Sequence, residues 1–154
     1  MMHAHHVVVG GTPLAVHTAG SGRPLVLLHG FPLDHRMWEG QAPLADHLRL
    51  IAVDLRGFGG SAAGTAASLA GMADDVAAVL DAVHVTAPAV ICGLSMGGYV
   101  AQHVAVRHPD RVAAVVLVDT KLEADTPEAR AARDDLAGKV GRLLEDHPLE
   151  RGLD

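Results

Sequence analysis

The chain has 154 residues and one cysteine, is 49% hydrophobic but only 3% aromatic, and carries a formal charge of −6 with its 11 histidines neutral. That length suits one domain with a sizeable core, and the scarcity of aromatics leaves the packing to Ala and Val, as in thin helices laid on a parallel sheet. The acidic balance argues against nucleic acid or an anionic membrane as the main partner. The lone Cys92 excludes an internal disulfide, and no apolar run is long enough for a signal peptide or a bilayer span, so the expected location is cytoplasmic.

His3, His5 and His6 crowd an exposed terminus and are expected to hold no functional metal. Val7-Val8-Val9, Gly10-Gly11 and Leu14-Ala15-Val16 read as a β-hairpin with a glycine turn. Pro24 to Leu28 is a continuous apolar run of the kind found in a strand buried on both faces, and it stops at His29-Gly30-Phe31-Pro32. A short helix is expected from Asp34 to about His47, with Trp38 and Leu44 on one side. Leu50 to Val53 is the next apolar run, ending at Asp54-Leu55-Arg56-Gly57-Phe58-Gly59-Gly60-Ser61.

Ser68 is a good N-cap for a helix whose Leu69, Met72, Val76, Val79, Leu80 and Val83 follow helical spacing. The run Ala89 to Cys92 leads into Gly93-Leu94-Ser95-Met96-Gly97, after which a helix is expected from Met96 to about Arg107. His108-Pro109 stops it, because proline disfavours helical geometry in the residue before it. Val112 to Val118 is a further strand, ending at Asp119-Thr120. From Thr126-Pro127-Glu128 a charged helix is expected over about 129–144, with Leu136, Val140, Leu143 and Leu144 as its apolar stripe. The organisation that follows is a core over 1–122 and a helical segment over 123–154.

Apolar strands alternating with helices imply a doubly wound, mostly parallel α/β sheet whose functional loops lie at the strands' carboxyl ends. His29, Asp54, Ser95 and Asp119 all sit at such ends. Gly93 to Gly97 is Gly-x-Ser-x-Gly, the pattern of a nucleophile elbow, where a serine is held on a strained strand-to-helix turn. Such a turn brings the residues two before and two after the serine too close for side chains, and glycine at both removes the clashing Cβ atoms. Neither Gly-x-Gly-x-x-Gly nor Gly-x-x-x-x-Gly-Lys-[Ser/Thr] occurs, which argues against a nucleotide-binding domain. Cys92, inside the apolar run before the elbow, reads as core packing.

With these residues in hand, the chain resembles the α/β-hydrolase family. His29-Gly30-Phe31-Pro32, the Asp54–Ser61 loop, the elbow and Val118-Asp119-Thr120 match its elements in order, over residues 5 to about 125. The wording around them is most similar to small bacterial esterases and enol-lactone hydrolases. The resemblance implies an α/β-hydrolase core lacking its last two strands, with 123–154 the start of a cap. It implies a serine hydrolase in which Ser95 attacks a small ester or lactone carbonyl to form an acyl-enzyme, with no cofactor and no metal. The N–H groups of Met96 and of Phe31, which follows Gly30, form the oxyanion hole on this reading, and His29 shapes the loop. Asp54 with Arg56 reads as a structural loop pair. Trp38 and Phe58 are candidates for the pocket lining or for ordinary core.

In this family the order is serine, acid, histidine. Asp119 is either the acid or a strand-end residue capping a neighbouring N–H. His103 lies eight helical residues beyond Ser95, about 12 Å at 1.5 Å per residue, and His108 lies further still. His147, beside Pro148, is either a helix-end residue or a base folding back from the tail. The chain is therefore expected to need a carboxyl-terminal half, or to associate with itself. The alternative is a non-catalytic remnant of the fold acting as a binding or interaction protein.

Overall fold

The computed structural model describes residues 2–64 and 68–146. Strands β1 (His3–Val9) and β2 (Thr12–Ala19) form an antiparallel hairpin, and β3 (Arg23–Leu28), β4 (Leu48–Val53), β5 (Ala89–Leu94) and β6 (Val112–Val118) follow. Gly10 and Gly11 both have positive φ at the hairpin turn, 54° and 81°, the geometry whose twist matches that of the flanking strands. The sheet order is β1-β2-β4-β3-β5-β6. β2 runs antiparallel to β4, while β4, β3, β5 and β6 are mutually parallel.

Helices α1 (Leu69–Ala82) and α2 (Met96–Arg107) connect the parallel strands. Ser68 caps α1 by accepting the Gly71 N–H at 3.0 Å, as its residue type suggests. Alternation along the strands sorts the core into two faces. Val26, Leu28, Ile51, Val53 and Ile91 pack with Val76, Leu80, Val100 and Val104 of the helices. Leu27, Ala52 and Cys92 point the other way, against Trp38. Trp38 is thus core, and burial pushes the Cys92 thiol up.

The segment expected as one helix from Asp34 is a 3-10 helix over His35–Asp46, with Asp34 capping through the Arg36 N–H. Trp38 is buried, whereas Leu44 is exposed, so the two do not pack together into the core. Pro43 lies inside the segment and offers no amide to its hydrogen-bond ladder.

The chain divides into two compact units, Met1–Lys121 and Leu122–Asp154. In the second, α3 (Pro127–Asp146) starts from Thr126, whose Oγ1 accepts the Ala129 N–H at 3.3 Å. The side chains of the proposed stripe at Leu136, Val140, Leu143 and Leu144, and His147 with its neighbours, lie outside the described residues. No helix among the described residues is long and apolar enough to cross a membrane.

Candidate active site

In this sheet the loop after β3 leads to β4 on one side, and the loop after β5 leads to β6 on the other. β3 and β5 are adjacent, so the strand order reverses between them, and that is where an open α/β sheet leaves a crevice at its carboxyl edge. The loop from His29 and the turn at Ser95 flank this point.

Ser95 stands alone between the end of β5 and the start of α2, with φ 49° and ψ −111°. A non-glycine residue at positive φ is costly, roughly 1–3 kcal/mol, and persists only where its surroundings fix it. They do so through the main chain. The Ser95 N–H donates to the Val118 carbonyl at 3.0 Å, and its own carbonyl accepts from Thr120 Oγ1 at 2.9 Å and the Gly98 N–H at 3.0 Å.

The glycines around it are required by contact. A Cβ on Gly93 would strike the Gly97 carbonyl, and one on Gly97 would overlap the Leu28 carbonyl and lie 2.6 Å from that of His29. A Cβ on Gly98 would sit 2.5 Å from the Thr120 side chain. Gly30 comes closest to the serine itself, since its Cβ would lie 3.5 Å from Ser95 Cβ and 2.7 Å from Leu94 Cδ2. Gly30 and Ser95 are therefore brought together across the crevice.

Phe31 follows with its side chain 65% exposed and its ring edge-to-face with Phe58 at 5.8 Å. Phe58 in turn meets His29 at 5.4 Å. Met96 packs against the helix-side core. Among the described residues, the N–H groups of Phe31 and Met96 have no protein acceptor.

His29 is fully buried and both ring nitrogens are occupied. The Leu55 N–H can only donate, so Nε2 accepts it at 2.9 Å, and Nδ1 carries the proton that goes to the Gly30 carbonyl at 3.0 Å. Burial holds this imidazole below its usual range, against the hydrogen bond to Gly30. It ties the Gly30 loop to the end of β4 and has no free nitrogen for a proton transfer.

Asp119 is exposed, with φ 43°. It sits between Val118 and Thr120, the two residues that hold the Ser95 backbone. Among the described residues its carboxylate caps no neighbouring N–H. No described histidine bonds to Ser95 either. His108, at the far end of α2, donates its Nε2–H to the Asp74 carboxylate at 2.7 Å.

The pairing expected between Asp54 and Arg56 does not form. Arg56 donates to both oxygens of Asp75, at 2.9 and 2.6 Å, and to Thr12 Oγ1 at 2.7 Å. Asp54, fully buried, accepts the His35 N–H at 2.8 Å, His35 Nδ1 at 2.9 Å and the Gly60 N–H at 2.9 Å. Burial alone would raise its pKa, but these donors outweigh it and hold the carboxyl below the usual range. The two residues are near in sequence but turn to opposite neighbours, one to α1 and one to the loop after β3. The part played by His35, and by His17 stacked on it, had no sequence signal, because neither belongs to a motif.

A parallel α/β sheet with a serine on a strained strand-to-helix turn at its switch point defines the α/β-hydrolase class, and the alpha/beta hydrolase fold profile matches residues 23–146. The chain belongs to this family. The pimeloyl-[acyl-carrier protein] methyl ester esterase of Vibrio cholerae serotype O1 is 42% identical over 101 residues, covering 65% of this chain and 38% of that relative. A thermophilic esterase from Thermogutta terrifontis superposes with TM-score 0.82 at 38% identity, covering 94% of this chain and 57% of that one. Est816, an N-acyl homoserine lactone degrading enzyme, gives TM-score 0.78 at 37% identity, covering 92% and 56%. The chain thus spans well under half of that curated relative and a little over half of these two solved chains.

Proposed function

We propose that this chain carries the nucleophile half of a serine hydrolase that cleaves a small carboxylic ester or lactone through an acyl-enzyme. The observation that carries the reading is Ser95 at positive φ on the β5–α2 turn, facing Gly30 across the switch point. Ser95 Oγ attacks the carbonyl carbon and gives its proton to a base. The developing oxyanion takes the N–H groups of Phe31 and Met96, which have no protein acceptor among the described residues. The alcohol leaves with a proton from the same base, and water then releases the acid. Gly30 keeps the floor beneath the serine clear, and Asp119 is the acid that orients the base.

The base itself is a histidine from the carboxyl-terminal strands that this family places after the cap, and 123–154 begins that cap. The esterase and lactone-degrading relatives support ester or lactone substrates, and the reading takes the protein as cytoplasmic and free of cofactor. Without its base, Ser95 stays protonated. Oriented donors alone leave on the order of 10³ to 10⁴ over water.

The test compares organophosphonate labelling and activated-ester turnover in the chain alone, the chain joined to a carboxyl-terminal segment, and His147→Ala. Weak labelling by the chain alone, restored by the segment and abolished by Ser95→Ala, is expected. Full activity from the chain alone that vanished in His147→Ala would make the tail histidine the base and overturn this reading. A second reading, a non-catalytic remnant that binds a partner, draws on the absence of a described histidine at Ser95; a segment-restored activity removes it.

A further inference from the structure

Away from the elbow, three ionisable side chains from three elements meet at one point: His17 of β2, His35 at the start of the 3-10 helix, and Asp54 after β4. The rings of His17 and His35 stack with centroids 3.3 Å apart and planes 12° from parallel. Each faces one oxygen of a single carboxylate. His35 Nδ1 lies 2.9 Å from Asp54 Oδ1, and His17 Nε2 lies 3.6 Å from Oδ2. His17 Nε2 is buried and has no hydrogen-bond partner among the described residues.

Two histidines and an aspartate suggest a metal site, but the stack argues against one. A metal lies in the plane of each imidazole that binds it, about 2.0–2.1 Å from the nitrogen. With the rings parallel and in contact, a metal in the plane of one stands roughly a full ring spacing from the other. Protons fit better. With Asp54 ionised, one proton on the pair makes the trio neutral. A second puts two cations in ring contact against one anion, so it binds much less readily.

Burial acts the same way on His17: desolvation first, then the charge of His35, hold it below the usual imidazole range, with Asp54 opposing. The other charged groups nearby do not supply a second anion of comparable reach. Asp34 is already bound by Arg36 through three side-chain contacts, and His29 is neutral. On the flanking strands His17 is paired with Ala4 and Ala52, which carry no charge. Arg56 is committed to Asp75.

We infer that His17, His35 and Asp54 form an acid-sensitive latch on the loop from His29 to His35, closed with at most one proton on the histidine pair and opened by the second. His35 commits both its main-chain N–H and its ring to Asp54 Oδ1, so this carboxylate fixes the far end of the loop. His29 fixes the near end through Gly30 and Leu55. A second proton drives the rings apart, and the His35 end of the loop goes with its ring. Because the folded pKa of His17 is lowered, stability from the closed latch is complete above about pH 6.5 and is lost as pH falls below it. The latch stands without the hydrolase reading. Only its effect on rate, through the Phe31 N–H, rests on that reading.

Imidazole nitrogen NMR on the full chain between about pH 8 and pH 4.5, with amide hydrogen exchange at each pH, tests this without any turnover assay. His17 is expected to titrate below the usual imidazole range, His35→Gln, which removes the stacked ring, to bring it back up, and His17→Gln to remove that step. Amide exchange in residues 30–36 is expected to rise at least ~10-fold across the His17 step while α1 stays protected. A His17 that titrates in the usual range and is unmoved by His35→Gln, or loop exchange that rises only together with α1, overturns the latch. So does micromolar zinc displacing the titration stoichiometrically, which points instead to a metal site. Should His17→Gln fail to fold, His35→Gln alone makes the comparison.

Discussion

Replacing Gly97 by alanine tests whether the elbow is closed by main chain. The new Cβ would overlap the Leu28 carbonyl and lie 2.6 Å from the His29 carbonyl oxygen. Both obstacles are backbone at the end of the buried strand β3, so no change of rotamer relieves them. Helix α2 must lift from the sheet and carry buried Val100, Ala101 and Val104 with it. Overpacking typically costs about 1–3 kcal/mol, and a rigid obstacle belongs at the upper end. Alanine recovers at most about 1 kcal/mol of helix propensity. The net expectation is a loss of about 2 kcal/mol, or roughly 4–8 °C in Tm for a chain of this size.

Urea denaturation and thermal melting followed by circular dichroism measure it. Gly30→Ala is the control, because the close contact of its Cβ would be with Leu94 Cδ2 at 2.7 Å, the end of a flexible side chain, while the Leu94 carbonyl at 3.4 Å and Ser95 Cβ at 3.5 Å stand at ordinary van der Waals range. Its stability is expected to fall by less than about 1 kcal/mol, while phosphonate labelling of Ser95, measured with the carboxyl-terminal segment present, drops sharply. A Gly97→Ala protein as stable as the parent, or more so, refutes the argument, since helix propensity alone predicts that result.

Two further expectations concern the scaffold. Arg56→Met leaves Asp75, which is buried, without its two-oxygen partner, and the loss of stability in urea is expected to be about 3 kcal/mol; a loss under about 1 kcal/mol would mean that solvent already screens the pair. Among the described residues β6 is an outer strand paired only with β5, and its Val116 and Leu117 are exposed, so light scattering of the chain is expected to show concentration-dependent association that Val116→Lys reduces. A monomer of constant mass at all concentrations contradicts that expectation.

Strand and helix positions were legible in the sequence because they follow from local patterns. The continuous apolar runs place β3, β4, β5 and β6 within a few residues, since strands buried on both faces need apolar residues throughout. Ser68 and His108-Pro109 set helix ends because a cap and a proline act on their immediate neighbours. The tight turn around Ser95 was legible for the same reason: it needs glycine at fixed offsets, since a Cβ on Gly93 would strike the Gly97 carbonyl.

The tertiary structure alone decided whatever depends on which remote segment lies alongside. The sheet order decides that Gly30 and Ser95, 65 residues apart, share one crevice. Arg56 was two residues from an acid and chose Asp75 on α1 instead, because the chain turns after β4 and buries Asp54 among amide donors. The short helix expected after Asp34 is there at nearly those bounds, but its 3-10 form and the exposure of Leu44 were not legible locally. His17 and His35 carried no pattern at all: one lies mid-strand and one follows a loop. Only the packing of β2 beside β4, with the 3-10 helix laid across them, stacks their rings over Asp54. Local sequence fixes conformations a few residues long, whereas a side chain's partners are set by long-range packing, which no neighbouring residue records.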